Sequence, residues 1–364
     1  MTRTNETRRR SVIVGSGSYL PEHAIPNAAF HDAEFYAADG ARLEQPVDAI
    51  VEKFEQITGI RERRYVGDDL VTSDIAALAA ERALTDSGID PESLDYVIVG
   101  HNFGDVTADN RRSELVPSLA ARVKGRLGIG NPRTVAYDLP FGCPGWLQAV
   151  IQADYYLRSG DAERALVVGA EVLSRVCDPH DRDSMIYSDG AGAVVLEARP
   201  SAEPVGVLAH AARSDTAEHA YLLRMGASSR RDLDGGALYL KMDGHKVYEY
   251  AVTAVPAVIE ECLAKAGLGV GEVAKLLVHQ ANAKLDQAIV KRVLRAAGVR
   301  TSAEELVPMT VGWLGNSSVA TLPTLFDLLR RGELDGHRVR AGDLIVFASV
   351  GAGMNANALA YRVV

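Results

Sequence analysis

Leu84-x₄-Ile89-x₇-Val97-Ile98-Val99 is echoed by Leu263-x₄-Leu268-x₇-Leu276-Leu277-Val278. The offset, 263 − 84 or 278 − 99, is 179 residues both times. Each stretch reads as a helix end, a glycine turn (Gly88, Gly267) and a short apolar strand. A looser pair supports the same division. Gly142-Cys143-Pro144-Gly145 opens a helix that closes at Gly160, before Leu166-Val167-Val168. Gly315-Asn316-Ser317-Ser318 opens one that closes at Gly332, before Leu344-Ile345-Val346. The chain therefore reads as two copies of one α/β unit. The join falls near Arg199–Pro204, giving halves at 11–200 and 201–364. A chance likeness between two α/β units is the competing reading.

Outward from the repeat, apolar strands alternate with helices, as expected for buried sheets between helical layers. Strands are predicted at 11–14, 96–99, 135–137, 165–168, 193–196, 276–278, 344–347 and 357–362. Helices are predicted at 71–87, 144–158, 247–266, 283–297 and 318–331. Residues 1–10 are polar and basic, lack the apolar run of a signal peptide, and are expected to form a flexible tail.

Composition excludes several classes. With 364 residues, 47% hydrophobic and 24% charged, the chain suits a globular protein of two fused units. A net charge of −9 gives no sign of a nucleic-acid binder. No apolar run reaches the length of a membrane span. Three cysteines, with no C-x₂-C pair, argue against a disulfide framework or zinc site. A reducing, cytoplasmic setting is expected, with no metal and no tightly bound cofactor.

The chemistry centres on Phe141-Gly142-Cys143-Pro144-Gly145-Trp146. A strand enters a tight turn and a helix follows, with Pro144 where proline is tolerated. Cys143 then faces the helix N-terminus, whose free N–H groups and dipole favour a thiolate. A packing cysteine gives the same local pattern. Cys262 reads as core and Cys177 as part of a turn. His279, in Val278-His279-Gln280-Ala281-Asn282, ends a strand where open α/β sheets bind ligands. It suits proton transfer or hydrogen bonding, although a satisfied core histidine is the plainer alternative. Asn316 takes nearly the place of Cys143 in the second half; it can donate hydrogen bonds or simply cap its helix. Ser349-Val350-Gly351-Ala352-Gly353 lets backbone approach a ligand, or is a plain turn.

Taken in order, these motifs resemble the β-ketoacyl-acyl-carrier-protein synthase III family of the thiolase superfamily. Gly15-Ser16-Gly17-Ser18-Tyr19-Leu20-Pro21, Thr58-Gly59-Ile60-Arg61-Glu62-Arg63, Cys177-Asp178-Pro179-x-Asp181-Arg182 and Asp189-Gly190-Ala191-Gly192-Ala193 extend the match along nearly the whole chain. The resemblance implies a thiolase fold of five layers, α-β-α-β-α, usually a homodimer. It implies Claisen-type condensation of an acyl thioester carried on Cys143 with a malonyl- or β-ketoacyl-type thioester, with His279 and Asn316 stabilising the enolate. The amides of Cys143 and Ala352, in the Gly351–Gly353 loop, would form the oxyanion hole. Lys284, Lys291 and Arg292 match a basic patch that docks acyl carrier protein.

The departures shape the substrate expectation. Primer-condensing members have a Trp and an Arg where this chain has Lys53 and Ile57, and an Asn where it has His245; Arg182 is retained. Acyl-coenzyme A and acyl-carrier-protein thioesters are both expected substrates, and these changes favour the carrier-bound donor. Val116 stands where a larger Phe is common, at a position that walls the acyl pocket across the dimer, leaving room for a longer or branched chain. The two elbows look most like the secondary-metabolic branch that includes ketosynthases making dialkylresorcinol or cyclohexanedione products. An acyltransferase on the same fold, moving the acyl group to an alcohol or amine, is the alternative activity; a non-catalytic partner subunit and a dinucleotide-binding protein fit less well.

Overall fold

The computed structural model describes residues 7–233 and 236–364. Helix 72–87 ends on left-handed Gly88 (φ 66°) and helix 244–266 on left-handed Gly267 (φ 69°), the two turns of the repeat. In each case the chain then enters a parallel strand, Tyr96–His101 or Val273–Val278.

The repeat extends to whole sheets. The first has five strands in the order Arg8–Tyr19, Asp189–Ser201, Arg164–Val172, Tyr96–His101, Val135–Pro140. The second has four, in the order Gly206–Ser214, Asn355–Arg362, Leu344–Gly351, Val273–Val278. Strand directions agree position by position: antiparallel, antiparallel, then parallel. Among the described residues, the second sheet lacks only a counterpart to the outer strand Val135–Pro140.

Three apolar clusters define the layers. Helix 72–87 covers the outer face of the first sheet through Ile75, Ala76, Ala79 and Leu84. Helices 244–266 and 283–297 cover the outer face of the second through Val255, Ile259, Ile289 and Val293. Between the sheets lie helices 145–159 and 321–331, whose Trp146, Ile151, Leu325 and Phe326 pack with Phe347 and Leu359. The order is α-β-α-β-α, as the resemblance implies. These central helices bury several sides at once, as a helix enclosed by two sheets must. Asp327, enclosed with them, accepts hydrogen bonds from Ser16 Oγ (2.8 Å) and Ser18 Oγ (2.7 Å).

The expected tail of residues 1–10 needs correcting where it is described. Residues 1–6 lie outside the described residues, but the first strand already begins at Arg8 and pairs with Ser201. Arg9 fixes it by donating to the carbonyls of Leu157 (2.9 Å) and Ala162 (3.0 Å) and to Glu163 (2.8 Å). Strand Gly206–Ser214 was also not foreseen; its pairing with Asn355–Arg362 is long-range and its own alternation weak.

The central layer carries the fold's largest side chains, so truncation there is expected to be costly. Phe326 meets Phe347 at 5.4 Å and Tyr361 at 6.3 Å between ring centroids. Phe326→Ala should lose about 3–5 kcal/mol in urea denaturation; a loss below about 1 kcal/mol would mean that this layer is not the core.

Candidate active site

Strand Val135–Pro140 delivers Phe141 and Gly142 to the elbow, and the helix starts at Gly145. Gly142 has φ 68°, and a Cβ there would meet the Ala352 N and O atoms at 2.8 Å. Only glycine fits both conditions. From the other half, a Cβ on Gly351 would lie 2.6 Å from Cys143 N. The Gly351–Gly353 loop is therefore pressed against the cysteine backbone. Among the described turn and loop hydrogen bonds, neither the Cys143 nor the Ala352 amide donates to another residue; the Cys143 amide acts on its own Sγ, whose thiolate it favours, and both amides suit an oxyanion.

Cys143 lines a cavity of about 240 Å³ together with Ser318, Ala352, Phe103, Tyr187 and Met225. Ser318 Oγ lies 3.3 Å from Cys143 Sγ. Burial pushes the thiol up to about 11; the Ser318 hydroxyl pulls it down and the Glu171 carboxylate pushes it up further. This reverses the expectation of a resting thiolate. The helix N-terminus is present, but enclosure outweighs it.

Asn316 holds the matching elbow, after Gly315 with φ 66°. Its backbone joins the first half, donating to Ile186 O (3.0 Å) and accepting from Ser188 N (2.9 Å). Its Oδ1 accepts from Ser318 N at 2.9 Å. The side-chain amide N has no protein partner among the described residues and is free to donate. So Asn316 both secures its turn and presents a donor.

His279 follows strand Val273–Val278 and donates its backbone N–H to Ala348 O (2.8 Å). The ring is buried and Nδ1 has no partner among the described residues. Burial pushes the imidazole down to about 4, so it is neutral at pH 7. Gln280, fully buried beside it, ties this strand end to the second elbow. Its Nε2 donates to Pro308 O (2.7 Å), and its Oε1 accepts from Thr310 N (2.7 Å) and Val311 N (2.9 Å).

Other expected site residues lie elsewhere. Val116 is 89% exposed and does not line the cavity of its own chain. Arg182 is exposed at the start of a short helix, 182–186. His245 is exposed, with Nε2 3.3 Å from Glu249. Lys284, Lys291 and Arg292 are exposed on helix 283–297, and their spacing sets them on one face. The Cys177–Arg182 motif is a clamp: Asp178 accepts from Ser229 N (2.6 Å), and Lys241 bridges Asp178 and Asp181. It fastens the hairpin 223–226/239–242, whose Leu223, Met225 and Leu240 wall the cavity.

Sequence reasoning missed Asn102, Glu171 and the assignment of a role to Ser318. Glu171 had a legible signal, since an acid in the apolar run Ala165–Leu173 is out of place. The cavity walls had none, because they come from eight separate stretches of the chain, 102–103, 142–143, 173, 187, 223–225, 240, 318 and 352.

A cysteine at a crossed pair of elbows, with a neutral imidazole at the neighbouring strand end of a duplicated α/β fold, defines a condensing enzyme of the thiolase fold. The chain belongs to the 3-oxoacyl-[acyl-carrier-protein] synthase III family. Residues 137–216 match the family's 3-oxoacyl-[acyl-carrier-protein (ACP)] synthase III model and residues 263–363 its C-terminal model. A β-ketoacyl-[acyl-carrier-protein] synthase III of Bradyrhizobium diazoefficiens is 36% identical over 353 residues, 95% of this chain and 97% of that one. The 3-oxoacyl-(acyl carrier protein) synthase III of Pseudomonas aeruginosa PAO1 superposes with a TM-score of 0.78 at 30% identity, covering 98% of both chains. The priming β-ketosynthase of the R1128 polyketide pathway gives 0.78 at 28%, over 98% of this chain and 97% of its own.

The buried imidazole makes a stability prediction. Unfolded histidine takes a proton near pH ~6.5, whereas folded His279 does so only at about 4. Its contribution is therefore intact above about pH 6.5 and lost as pH falls toward 4. It should account for up to about 3 kcal/mol of acid-side destabilisation. His279→Gln is expected to flatten the change in urea midpoint between pH 7.5 and 4.5; an unchanged slope would mean that the ring is solvated.

Proposed function

We propose that Cys143 is the acyl carrier of a Claisen-type condensation in fatty-acid or polyketide biosynthesis. Sγ attacks the donor thioester carbonyl, a C–S bond forms, and the donor thiol departs. The Cys143 and Ala352 amides hold the oxyanion. A malonyl-type thioester, by losing CO₂, or a β-ketoacyl-type thioester, by losing its α-proton, then supplies the carbon nucleophile. His279 and Asn316 hold its enolate oxygen, the new carbon–carbon bond forms, and Cys143 leaves as the thiolate. The observation that carries this reading is the contact between halves: Gly351 and Ala352 against Gly142 and Cys143, and Ser318 on Sγ.

A carrier-bound donor is favoured over coenzyme A. Lys53 and Ile57 are exposed where the primer-condensing members hold adenine, and His245 is engaged with Glu249. Lys284, Lys291 and Arg292 supply cations for an acidic carrier protein. Arg182 is kept for substrate binding beside the Asp178 clamp, and Gly351 and Gly353 for close backbone approach. The unpaired outer edge of strand Val135–Pro140, with half-exposed Val135 and exposed Leu115 and Val116, supports a homodimer in which Val116 walls the partner's acyl pocket. No described helix is long and apolar enough to cross a membrane. Three free cysteines fit a cytoplasmic setting.

Incubated with acyl thioesters, the protein should gain acyl mass on Cys143 and release a β-keto product once extender is added. Cys143→Ala should abolish loading; His279→Ala should leave loading intact while lowering condensation at least ~10²-fold, and Asn316→Ala should lower condensation by at least as much. An ester or amide product, with no carbon–carbon bond, would replace this reading with acyl transfer to a heteroatom. Reversing charge at Lys284 and Arg292 should raise KM for carrier-bound substrate about tenfold without changing turnover of a coenzyme A thioester; equal effects on both donors would remove the docking role.

A further inference from the structure

We infer that Ser318 is a further catalytic residue of acylation and that Asn102 and Glu171 position its hydroxyl. The inference rests on the reading of Cys143 as acyl carrier. Four side chains make one chain of contacts. Glu171 Oε2 is 2.6 Å from Asn102 Nδ2, which is 3.2 Å from Ser318 Oγ, itself 3.3 Å from Cys143 Sγ.

Donor and acceptor chemistry fixes the direction. An amide nitrogen only donates, and it has two hydrogens. One goes to the Glu171 carboxylate and the other to Ser318 Oγ. The serine oxygen is thus occupied as an acceptor, and its single proton is directed to Cys143 Sγ. Glu171 also accepts from Asn102 N at 2.9 Å. Its other oxygen, Oε1, is buried without a partner among the described residues. The acid's side-chain hydrogen bonds thus go to Asn102, and the Phe103 backbone N–H also favours its carboxylate. Ser318 has φ 53°, a left-handed backbone that a side-chain residue adopts only where its surroundings impose it. Asn316 Oδ1, on Ser318 N, is the imposing contact.

The consequence lies in the attack step. Sγ must lose its proton before its electron pair closes on the thioester carbon. That proton ends on the donor thiol when the old C–S bond breaks. Ser318 does not take the proton; it donates to the sulfur and stabilises the thiolate in an otherwise closed site. The ionisable groups that act on this cluster are Cys143, Glu171, His101 and Tyr187. His101 accepts from Gly104 N at Nδ1 (3.1 Å), and its Nε2 lies 3.0 Å from Asp138 Oδ2.

The test is the rate of iodoacetamide alkylation of Cys143 in the full-length protein from pH 7 to 11, read by peptide mass. In Ser318→Ala the rate–pH line should move up by about one pH unit, a roughly tenfold slower reaction at pH 8. Asn102→Ala should shift it the same way by less, since the serine hydroxyl is then free to rotate. Glu171→Gln keeps an acceptor oxygen for Asn102 and removes a nearby negative charge, so alkylation should be as fast as wild type or faster. A Ser318→Ala line at or below the wild-type pH overturns the proposal. Should that variant fail to fold, Asn102→Ala decides, and an unshifted line there overturns it. Alkylation needs no acyl substrate, so this result and the condensation assay succeed or fail separately.

Discussion

The site depends on two helices being enclosed between two sheets. Helices 145–159 and 321–331 bury Trp146, Ile151, Leu325 and Phe326 in a single apolar layer. Helix N-termini in such a layer cannot turn to water for their free backbone groups. Some partners are local, as Gly145 N to Gly142 O (2.9 Å) and Ala320 N to Ser317 O (3.1 Å), and other contacts at the elbows cross between the halves. Asn357 Nδ2 donates to Pro144 O across the halves (3.2 Å), and Asn316 exchanges backbone bonds with Ile186 and Ser188. These contacts hold the two elbows on one another and bring Ser318 to Cys143.

Enclosure also sets the electrostatics. The Cys143 thiol is pushed up to about 11, the His279 imidazole down to about 4, and the Glu171 carboxyl up to about 7, in every case first by burial. Each shift favours a neutral group. A site of this kind does not rest as a thiolate–imidazolium pair. It relies on aimed hydrogen bonds that strengthen as charge develops: the amides at Cys143 and Ala352, the amide of Asn316, and the hydroxyl of Ser318. The apolar cavity walls, held down by the Lys241 clamp, maintain the low polarity on which those bonds depend.

Parts of this were legible in the chain and parts were not, for identifiable reasons. The strands 96–99, 165–168 and 344–347 are unbroken apolar runs, and burial on both faces leaves them no other pattern. The glycine turns of the repeat follow from local backbone preference. Strand Gly206–Ser214 was not visible, because a distant partner strand and not its own alternation makes it a strand. Arg8–Arg10 looked like a tail, because three arginines carry no sign that Arg9 would be anchored by two carbonyls and a carboxylate. At the site, Cys143, His279 and Asn316 stood out through their places in the repeat. Asn102 did not, since it matters only for what it touches, and Glu171 was marked only as an acid in an apolar run.

The sequence by itself determined the duplication, the α/β class and the residue types at the two elbows. These are encoded in local periodicity, glycine turns and order along the chain. Tertiary structure alone decided that the cysteine rests as a thiol, that Ser318 faces it, and that Val116 points away from its own chain's cavity. Burial and hydrogen-bond direction are properties of neighbours brought from 69 to 216 positions away, here Glu171 − Asn102 and Ser318 − Asn102. No local pattern records them.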